Sequence, residues 1–221
     1  MKNRSVLVTG SSKGLGEELA LVFAGNGYDI ILHGRDKKDL TRVKEKVVKN
    51  GVNCYVSRGD LTQDKVIKQL FLISKQKNIS VLINNAALPC PFLPLQNISD
   101  KEINNILITN LIAPIKLTKQ IYSLFLKRGC GTIININSIS GLENQELRSI
   151  YCASKWGLRG FIDTFRLEAR EHNVRVIGVY PSRIKTRPHF TQGMKTKDVA
   201  GKIFDIYKHS NKEEIILDGR H

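Results

Sequence analysis

Short apolar runs alternate with longer amphipathic stretches from one end of this chain to the other. Each apolar run has the length of a strand, whereas the stretches between them repeat apolar residues at helical spacing, as Leu15, Leu19 and Phe23 do. Strands and helices in alternation predict a parallel sheet covered by helices on both faces. Seven strands are predicted, over residues 5–9, 28–33, 53–57, 81–84, 132–137, 174–180 and 214–217. Helices are predicted over residues 15–26, 37–50, 63–76, 99–127, 151–172 and 197–208.

Two of the predicted helices have capping residues at their starts. Ser99 and Glu102 have the spacing of a capping box, in which each side chain bonds to the backbone N–H of the other residue. Thr62 precedes the helix over 63–76 as a candidate N-cap. We therefore expect both helices to begin at these residues.

The length and composition fit one soluble globular domain over residues 1–221. The chain is long enough for a sizeable core, and its hydrophobic share of 41% and charged share of 25% are ordinary for such a domain. No apolar run is long enough to span a bilayer, and the N-terminus enters the first strand without a signal-peptide core. The cysteines, which show no metal or redox spacing, are Cys54, Cys90, Cys130 and Cys152. We therefore expect a cytoplasmic protein with reduced thiols, no membrane partner and no metal.

The formal net charge of +15 leaves several kinds of partner open. Such an excess can serve nucleic acid, an acidic partner or an anionic ligand, and it can also be a solvated basic surface. The lysines are scattered over several predicted helices, and the sequence has no nucleic-acid-binding motif. We therefore expect no specific nucleic-acid partner, although retention on heparin that weakens steeply with salt would support one.

The first predicted strand ends in a glycine-rich turn, Thr9-Gly10-Ser11-Ser12-Lys13-Gly14-Leu15-Gly16. Glycines let the backbone turn tightly and approach a pyrophosphate, which then lies on the N-terminal N–H groups of the following helix. Because this is the first turn of an alternating α/β chain, it predicts a Rossmann-like, doubly wound α/β fold with a dinucleotide site. The predicted contacts come from Gly10, Ser12, Lys13, Gly14, Leu15 and Gly16.

The end of the second strand indicates which dinucleotide is bound. An NAD-type site has a carboxylate there for the ribose 2′-hydroxyl, whereas an NADP-type site has a cation for the 2′-phosphate. Gly34 stands at this position, Arg35 follows it, and Lys13 of the glycine turn can reach the same phosphate. Asp36 is expected to cap the next helix and to point away. The two cations therefore favour NADP(H).

Tyr151 and Lys155 are four residues apart and share one face of their predicted helix. An ammonium close to a phenol favours the phenolate, and such a tyrosine can give or take a proton near neutral pH. Ser138 follows the fifth predicted strand and can bond the same substrate oxygen. A lone Tyr-x-x-x-Lys also arises by chance on solvated helix faces. A catalytic role for the pair therefore needs support from other motifs of the chain.

With these motifs in order, the sequence resembles the short-chain dehydrogenase/reductase family over nearly its whole length. The glycine turn is similar to the family's Thr-Gly-x-x-x-Gly-x-Gly, and the run from Asn84 to Ala87 is similar to its Asn-Asn-Ala-Gly. The four residues that match its catalytic tetrad are Asn110, Ser138, Tyr151 and Lys155. Asp60-Leu61 resembles the acidic position that contacts adenine, and the run from Pro181 to Thr186 resembles the Pro-Gly-x-x-x-Thr that lies over the nicotinamide.

The resemblance implies hydride transfer between a nicotinamide and a carbonyl/alcohol pair, in a homodimer or homotetramer. Tyr151 would supply the proton in reduction, Ser138 would stabilise the charge on the carbonyl oxygen, and Lys155 would hold the nicotinamide ribose. Further implied cofactor contacts are Asp60, Leu61, Asn84, Ala86, Tyr151, Lys155, Pro181, Ser182, Ile184 and Thr186. The family relatives most similar in these respects are 3-oxoacyl-(acyl-carrier-protein) reductases and carbonyl reductases.

Asn110 has a sequence-based reason for its place in the tetrad. Pro114 lies four residues further along the predicted helix and has no N–H, so the main-chain carbonyl of Asn110 loses its helical partner. That carbonyl is then free to hold the water that links Lys155 to the family's proton relay. A kinked helix without catalytic meaning is the alternative.

Two residues depart from the family pattern. Ala87 and Ser182 stand where the family has glycine, and the segment after Thr186 is short where relatives carry a helical lid.

The family places four cations at the rim of the active site, Arg148, Arg183, Lys185 and Arg187. Such a rim favours a carbonyl substrate on an anionic carrier, unless its charges are merely solvated or neutralise the cofactor phosphates.

The favoured interpretation is an NADPH-dependent oxidoreductase that reduces a ketone or 3-oxoacyl-type carbonyl. One alternative is an NADP-linked alcohol dehydrogenase that works in the oxidative direction. Another, from a different class of protein, is an NADP-binding sensor without turnover, although such a sensor has no use for Tyr151, Lys155 and Ser138 together.

Overall fold

The computed structural model describes residues 4–89, 91–185 and 192–220. The strands are β1 Ser5–Val8, β2 Asp29–Gly34, β3 Cys54–Arg58, β4 Ile79–Asn84, β5 Gly131–Ile136, β6 Val174–Pro181, β7 Ile184–Lys185, β8 Met194–Lys195 and β9 Glu214–Leu217. The helices are α1 Gly14–Gly25, α2 Lys37–Val48, α3 Asp64–Gln76, α4 Asp100–Leu107, α5 Ala113–Arg128, α6 Ser149–Arg170 and α7 Thr196–His209. A π-helical segment, Ile108–Ile112, joins α4 to α5.

The main sheet has seven parallel strands in the order β3-β2-β1-β4-β5-β6-β9. Alternate side chains of these strands enter two apolar clusters on opposite faces, as Ile30 and Ile31 do. Helices α1, α2 and α7 cover one face, and α3, α5 and α6 cover the other. The expectation of a Rossmann-like sheet with helices on both faces is confirmed.

The chain reverses its direction across the sheet between β1 and β4. It runs from β1 outward through β2 to β3 and then returns to place β4 on the other side of β1. Ligands of such sheets bind in the crevice beyond the carboxyl ends of the strands at this switch point. The glycine turn follows β1, and the Asn85-Ala86 segment follows β4, so both lie at this crevice.

The long helix predicted over 99–127 is interrupted, and the interruption has a local cause. The Ser99–Glu102 capping box is present, and the helix then passes through the π segment before α5. Pro114 cannot donate to the carbonyl of Asn110, and the backbone widens to a five-residue step in which the Ala113 N–H donates to the carbonyl of Ile108. The helix irregularity expected from Pro114 is therefore a π-helical segment.

Two smaller expectations differ from the structure. Thr62 was expected to cap α3, but Gln63 occupies the N-cap position and the Thr62 hydroxyl donates instead to Asp60, at 2.8 Å. Residues 184–185 and 194–195 pair as a short parallel ladder, β7 with β8, where the sequence indicated only a loop. A two-residue ladder is too short to give a periodic sequence signal.

Within the described part of the chain, every helix is too short or too polar to cross a membrane. The described residues also contain no group of three or more His, Cys, Asp or Glu side chains that could hold a metal ion.

Candidate active site

The glycine turn between β1 and α1 requires glycine at three positions, two because of their backbone angles and one because of a close contact. Gly10 and Gly14 have φ values of 63° and 61°, in the left-handed region that favours glycine. At Gly16, an added Cβ would lie 2.3 Å from the carbonyl oxygen of Gly10 and 2.5 Å from Nδ2 of Asn85. Lys13, the N-cap residue of α1, makes no side-chain capping bond. The turn thus presents the backbone N–H groups of the start of α1, which fits a bound phosphate.

Asn85 ties the glycine turn to the end of β4. Its Nδ2 donates to the carbonyls of Thr9 and Gly10, at 2.9 and 3.1 Å. In return, the Thr9 hydroxyl accepts the backbone N–H groups of Asn85 and Ala86, at 2.9 and 3.1 Å. These four bonds fix the two loops on either side of the switch point against each other.

Two cations are candidates for the 2′-phosphate, Arg35 directly after β2 and Lys13 in the glycine turn. Arg35 and Lys13 are both exposed, and neither forms an ion pair with any described residue, a set that includes every Asp and Glu of the chain. Asp36 accepts the backbone N–H of Asp39 at 2.8 Å, so the expectation that it caps α2 is confirmed. Gly34 lies so close to the glycine turn that an added Cβ would be 3.2 Å from the Cβ of Ser12.

An ion-pair cluster around the buried Glu17, next to the glycine turn, was not found from the sequence. Glu17 in the first turn of α1 accepts from Arg42 at 2.6 Å and from Lys46 at 2.8 Å. Arg42 also donates to the carbonyl of Ser12 at 3.0 Å, so it ties α2 to the glycine turn. Burial acts to raise the pKa of Glu17, but the bonds from Arg42 and Lys46 outweigh it, and the pKa is lowered. The only sequence signal was an acidic residue on the inward face of α1.

Asp60 and Leu61 follow β3 at the same edge of the sheet. Asp60 accepts the backbone N–H and the hydroxyl of Thr62, at 2.9 and 2.8 Å. The bond from the Thr62 N–H, together with the nearby Arg35, lowers the pKa of Asp60, so the group stays ionised at neutral pH. The side chain of Leu61 is buried in the core against α3.

The structure places the other expected cofactor residues in different surroundings. The Asn84 side chain is buried and donates to Thr118 and Asn135, both at 2.9 Å. Ser182 stands where the family has glycine. Its hydroxyl accepts the backbone N–H of Gly219 at 2.7 Å and so holds the C-terminal segment in place. Pro181 ends β6, Ile184 begins β7, and Thr186 and Arg187 lie outside the described residues.

Tyr151 and Lys155 lie one turn apart near the start of α6, as expected. Lys155 is 2% exposed, and its ammonium lies 5.7 Å from the centroid of the Tyr151 ring. Its Nζ donates to the carbonyl of Ile136 at the end of β5, at 3.3 Å. Burial lowers the pKa of Lys155; the neighbouring Tyr151 opposes this shift, and Arg148 adds to it. The lysine is therefore held between α6 and the carboxyl end of β5.

A chain of polar contacts runs from Ser138 at the end of β5 to the start of α6. Arg148 Nη1 donates to Gln145 Oε1 at 2.7 Å, and the Ser140 hydroxyl donates to the same oxygen at 3.1 Å. Because a guanidinium only donates, Arg148 fixes which way the Gln145 amide faces. The Ser138 hydroxyl then donates to Ser140 Oγ at 3.2 Å and must turn away from it to bond a substrate oxygen.

Asn110 uses its side chain to hold the loop after β4. Its Oδ1 accepts the backbone N–H of Leu88 at 2.7 Å, and its Nδ2 donates to the Leu88 carbonyl at 2.9 Å. The same Nδ2 reaches Ser154 Oγ at 3.4 Å, and Ser154 donates to the carbonyl of Tyr151 at 2.7 Å. Asn110 thus links the π segment, the loop after β4 and α6. The expected water at its main-chain carbonyl stays a prediction.

Comparisons with known proteins identify the family. Residues 4–195 match the sequence profile of the family described as short chain dehydrogenase. "Dehydrogenase/reductase SDR family member 7" of Mus musculus is 32% identical over 92% of this chain, although the chain spans only 62% of that relative's length. The 3-oxoacyl-(acyl-carrier-protein) reductase FabG of Staphylococcus epidermidis is 28% identical, with 97% of this chain and 84% of that protein covered.

Among solved structures, a metagenomic short-chain oxidoreductase in complex with NADP is similar over 100% of this chain and 99% of that chain. Its TM-score is 0.88 and its sequence identity is 26%. The fold, the glycine turn at the switch point and the profile match agree. The chain belongs to the short-chain dehydrogenase family and is an oxidoreductase of the NAD(P)-dependent class.

Proposed function

We propose that this protein uses NADPH to reduce a carbonyl compound to an alcohol, with Tyr151 as the proton donor. The observation that carries the proposal is the arrangement at the start of α6. The Tyr151 ring is flanked by the buried Lys155 and by Arg148, and α6 is joined to Ser138 at the end of β5. A phenol held in this place can donate a proton to a substrate oxygen that gains negative charge.

In this proposal, the bound nicotinamide supplies the hydride and the protein supplies the proton. Tyr151 donates its proton to the carbonyl oxygen as the hydride reaches the carbon. Ser138 turns from Ser140 to donate to the same oxygen, a kind of contact worth up to about 4 kcal/mol when it strengthens in the transition state. Lys155 bonds the nicotinamide ribose and replenishes the proton of Tyr151, with Asn110 holding the relay water.

The cofactor would lie along the switch-point crevice. Its pyrophosphate would rest on the glycine turn, contacting Gly10, Ser12, Gly14, Leu15 and Gly16. The adenine would meet Asp60 and Leu61, and the nicotinamide half would meet Asn84, Ala86, Pro181, Ser182, Ile184 and Thr186. The NADP complex of the solved relative and the absence of a carboxylate at Gly34 support NADP(H) as the cofactor.

NADPH is expected to bind at least about 30-fold more tightly than NADH. Arg35 and Lys13 would each make a charge-assisted bond to the 2′-phosphate, and losing both contacts is expected to cost about 2–4 kcal/mol. Fluorescence titration gives both dissociation constants, and the double variant Arg35→Gln, Lys13→Gln should bring them close together. Lys65→Gln, Lys68→Gln on α3 is a control that removes the same charge. Equal affinity in the wild-type protein, or tighter NADH binding, contradicts the assignment.

The substrate is proposed as a ketone or a 3-oxoacyl-type compound, and the test is a panel of carbonyl compounds with NADPH. Product analysis by mass spectrometry should identify the alcohol. The FabG relative supports the 3-oxoacyl class, and Arg183 and Lys185 would attract an anionic carrier. An NADP-linked oxidation of alcohols is the same chemistry reversed. A protein that binds NADPH but reduces no member of the panel would instead favour the sensor alternative.

Assembly, location and domain organisation are part of the same proposal. We propose a homodimer or homotetramer in the cytoplasm, formed by a single domain over residues 1–221. Helices α5 and α6 lie side by side, since Tyr122 and Phe165 stack edge to face at 4.9 Å. The large apolar side chains Leu126, Trp156 and Leu167 are exposed on these two helices, which supports a protein partner there.

A further inference from the structure

Arg148 stands immediately before α6 and three residues before Tyr151, and its guanidinium lies against two aromatic rings. The guanidinium carbon is 4.3 Å from the centroid of the Tyr151 ring and 4.8 Å from that of Phe92. Phe92 belongs to the loop after β4 and is 65% exposed, so this stack is at the open side of the site. Stacking on aromatic faces holds a guanidinium in place without neutralising its charge.

The charge of Arg148 has no counter-ion in the described part of the chain. Among the described residues, which include every Asp and Glu side chain, none forms an ion pair with it. The loop before α6 holds two acidic residues: Glu143 is paired with Arg220 at 2.7 Å, and Glu146, although only two positions from Arg148, forms no ion pair with it. The side chain of Lys155 also lies near this ring, with Nζ 5.7 Å from the Tyr151 centroid. The site therefore favours an anion from outside the chain.

The hydrogen bonds of Arg148 are also incomplete. Nη1 donates to the neutral amide oxygen of Gln145, and Nε is buried without a partner in the described residues. Nη2 has no bond to a described residue and is not among the buried unpartnered atoms. A guanidinium that is fixed by stacking and still has unpaired N–H donors is suited to bond the two oxygens of a carboxylate.

We propose that Arg148 binds a carboxylate of the substrate, so that short oxo acids, rather than acyl chains on a carrier, are the natural substrates among the ketones considered above. The guanidinium stacks on the ring of the proposed proton donor, so an anion bound there is only a few bonds from a carbonyl at the Tyr151 hydroxyl. This inference rests on the proposed reduction at Tyr151 and names the substrate class of the same site. An anionic group at the far end of a long carrier would be too distant to contact Arg148 and the reacting carbonyl together.

A purely structural role for Arg148 makes a different prediction. The loop after β4 is already joined to residue 147 by a bond from the Leu93 N–H to the Leu147 carbonyl, at 3.1 Å. If Arg148 only braced this loop, its loss would slow the reduction of every substrate by the same factor. A carboxylate contact instead predicts a loss confined to acids.

The test compares acetoacetate with methyl acetoacetate, which share the reacting ketone and differ in the negative charge. The wild-type protein should prefer acetoacetate. Arg148→Met should lower kcat/KM for acetoacetate by about 10–100-fold, mainly through KM, while the methyl ester changes much less. Arg148→Lys should recover part of the preference, because it restores the charge without the planar fork. Arg170→Met, at the far end of α6, removes the same charge and should leave the ratio between the two substrates unchanged.

A binding measurement separates this inference from the proposed reduction. Monomethyl malonate and dimethyl malonate mimic the two substrates but lack a reducible ketone, and ligand-detected NMR with NADPH-saturated protein reports their binding. Binding of the monoester that is lost in Arg148→Met supports the carboxylate contact even if neither ketone is reduced. Reduction of methyl acetoacetate with no preference for the acid, and no binding of the monoester, overturns it while the reductase assignment stands.

Discussion

Tyr151→Phe is expected to lower the rate of carbonyl reduction by at least about 100-fold while NADPH still binds. The substitution keeps the ring against which Arg148 and Lys155 lie, at 4.3 and 5.7 Å, and removes only the hydroxyl. The proton donor would be lost while the packing at the start of α6 remains. Steady-state turnover with any substrate identified in the carbonyl panel measures the effect.

A second tyrosine provides the matched control. Tyr122 lies in α5 and packs edge to face on Phe165 at 4.9 Å. Tyr122→Phe removes a phenol hydroxyl elsewhere in the chain and should leave turnover within about a factor of two, since substitutions away from such a site change little. If Tyr151→Phe kept a near-normal rate, Tyr151 would not be the proton donor.

Lys155→Met is expected to abolish activity and to stabilise the fold. Methionine fills a volume close to that of the lysine stem, but it carries neither the ammonium near Tyr151 nor a donor for the cofactor ribose. Turnover should fall by at least about 100-fold and NADPH affinity by about 10-fold. Thermal unfolding should nevertheless occur at a higher temperature, because a buried charge without a carboxylate partner costs stability that an apolar side chain does not.

The pH dependence of this stabilisation has a defined sign. Burial lowers the pKa of Lys155 below the usual 10.5, so over the range between the folded and unfolded values the unfolded state binds more protons. Wild-type stability from this group is therefore lowest below the folded pKa and recovers as pH rises from there to the unfolded value. The advantage of Lys155→Met should be greatest below the folded pKa of Lys155 and should shrink as pH rises towards the unfolded value of 10.5. A variant less stable than wild type at neutral pH would show that the ammonium holds the structure together.

The parts of the site that could be predicted from sequence are those with a local signal. The glycine turn, the Ser99–Glu102 capping box and the Asp36 cap depend on residues within a few positions of one another, and the structure contains all three. Tyr151 and Lys155 share a helix face because four residues make about one turn. Strand positions followed from apolar runs that the buried sheet requires.

The rest of the site depends on contacts between residues far apart in the sequence or on loops with an irregular backbone. The contacts from Glu17 to Arg42 and Lys46 join residues 25 and 29 positions apart. The chain from Ser138 through Ser140 and Gln145 to Arg148 crosses a loop whose side-chain directions no periodicity fixes. The sequence therefore indicated Arg148 as a rim cation without showing that its side chain contacts Gln145.

Transfer of deuterium from the nicotinamide to the product tests the central claim most directly. Wild-type protein is mixed with NADPH that carries deuterium on the transferable position of C4 and with each carbonyl compound of the panel, and the alcohol is analysed by mass spectrometry. The account predicts an alcohol with one deuterium on the former carbonyl carbon, formed at least about 100-fold more slowly by Tyr151→Phe. An alcohol without deuterium, or tight NADPH binding with no transfer to any member of the panel, would contradict it.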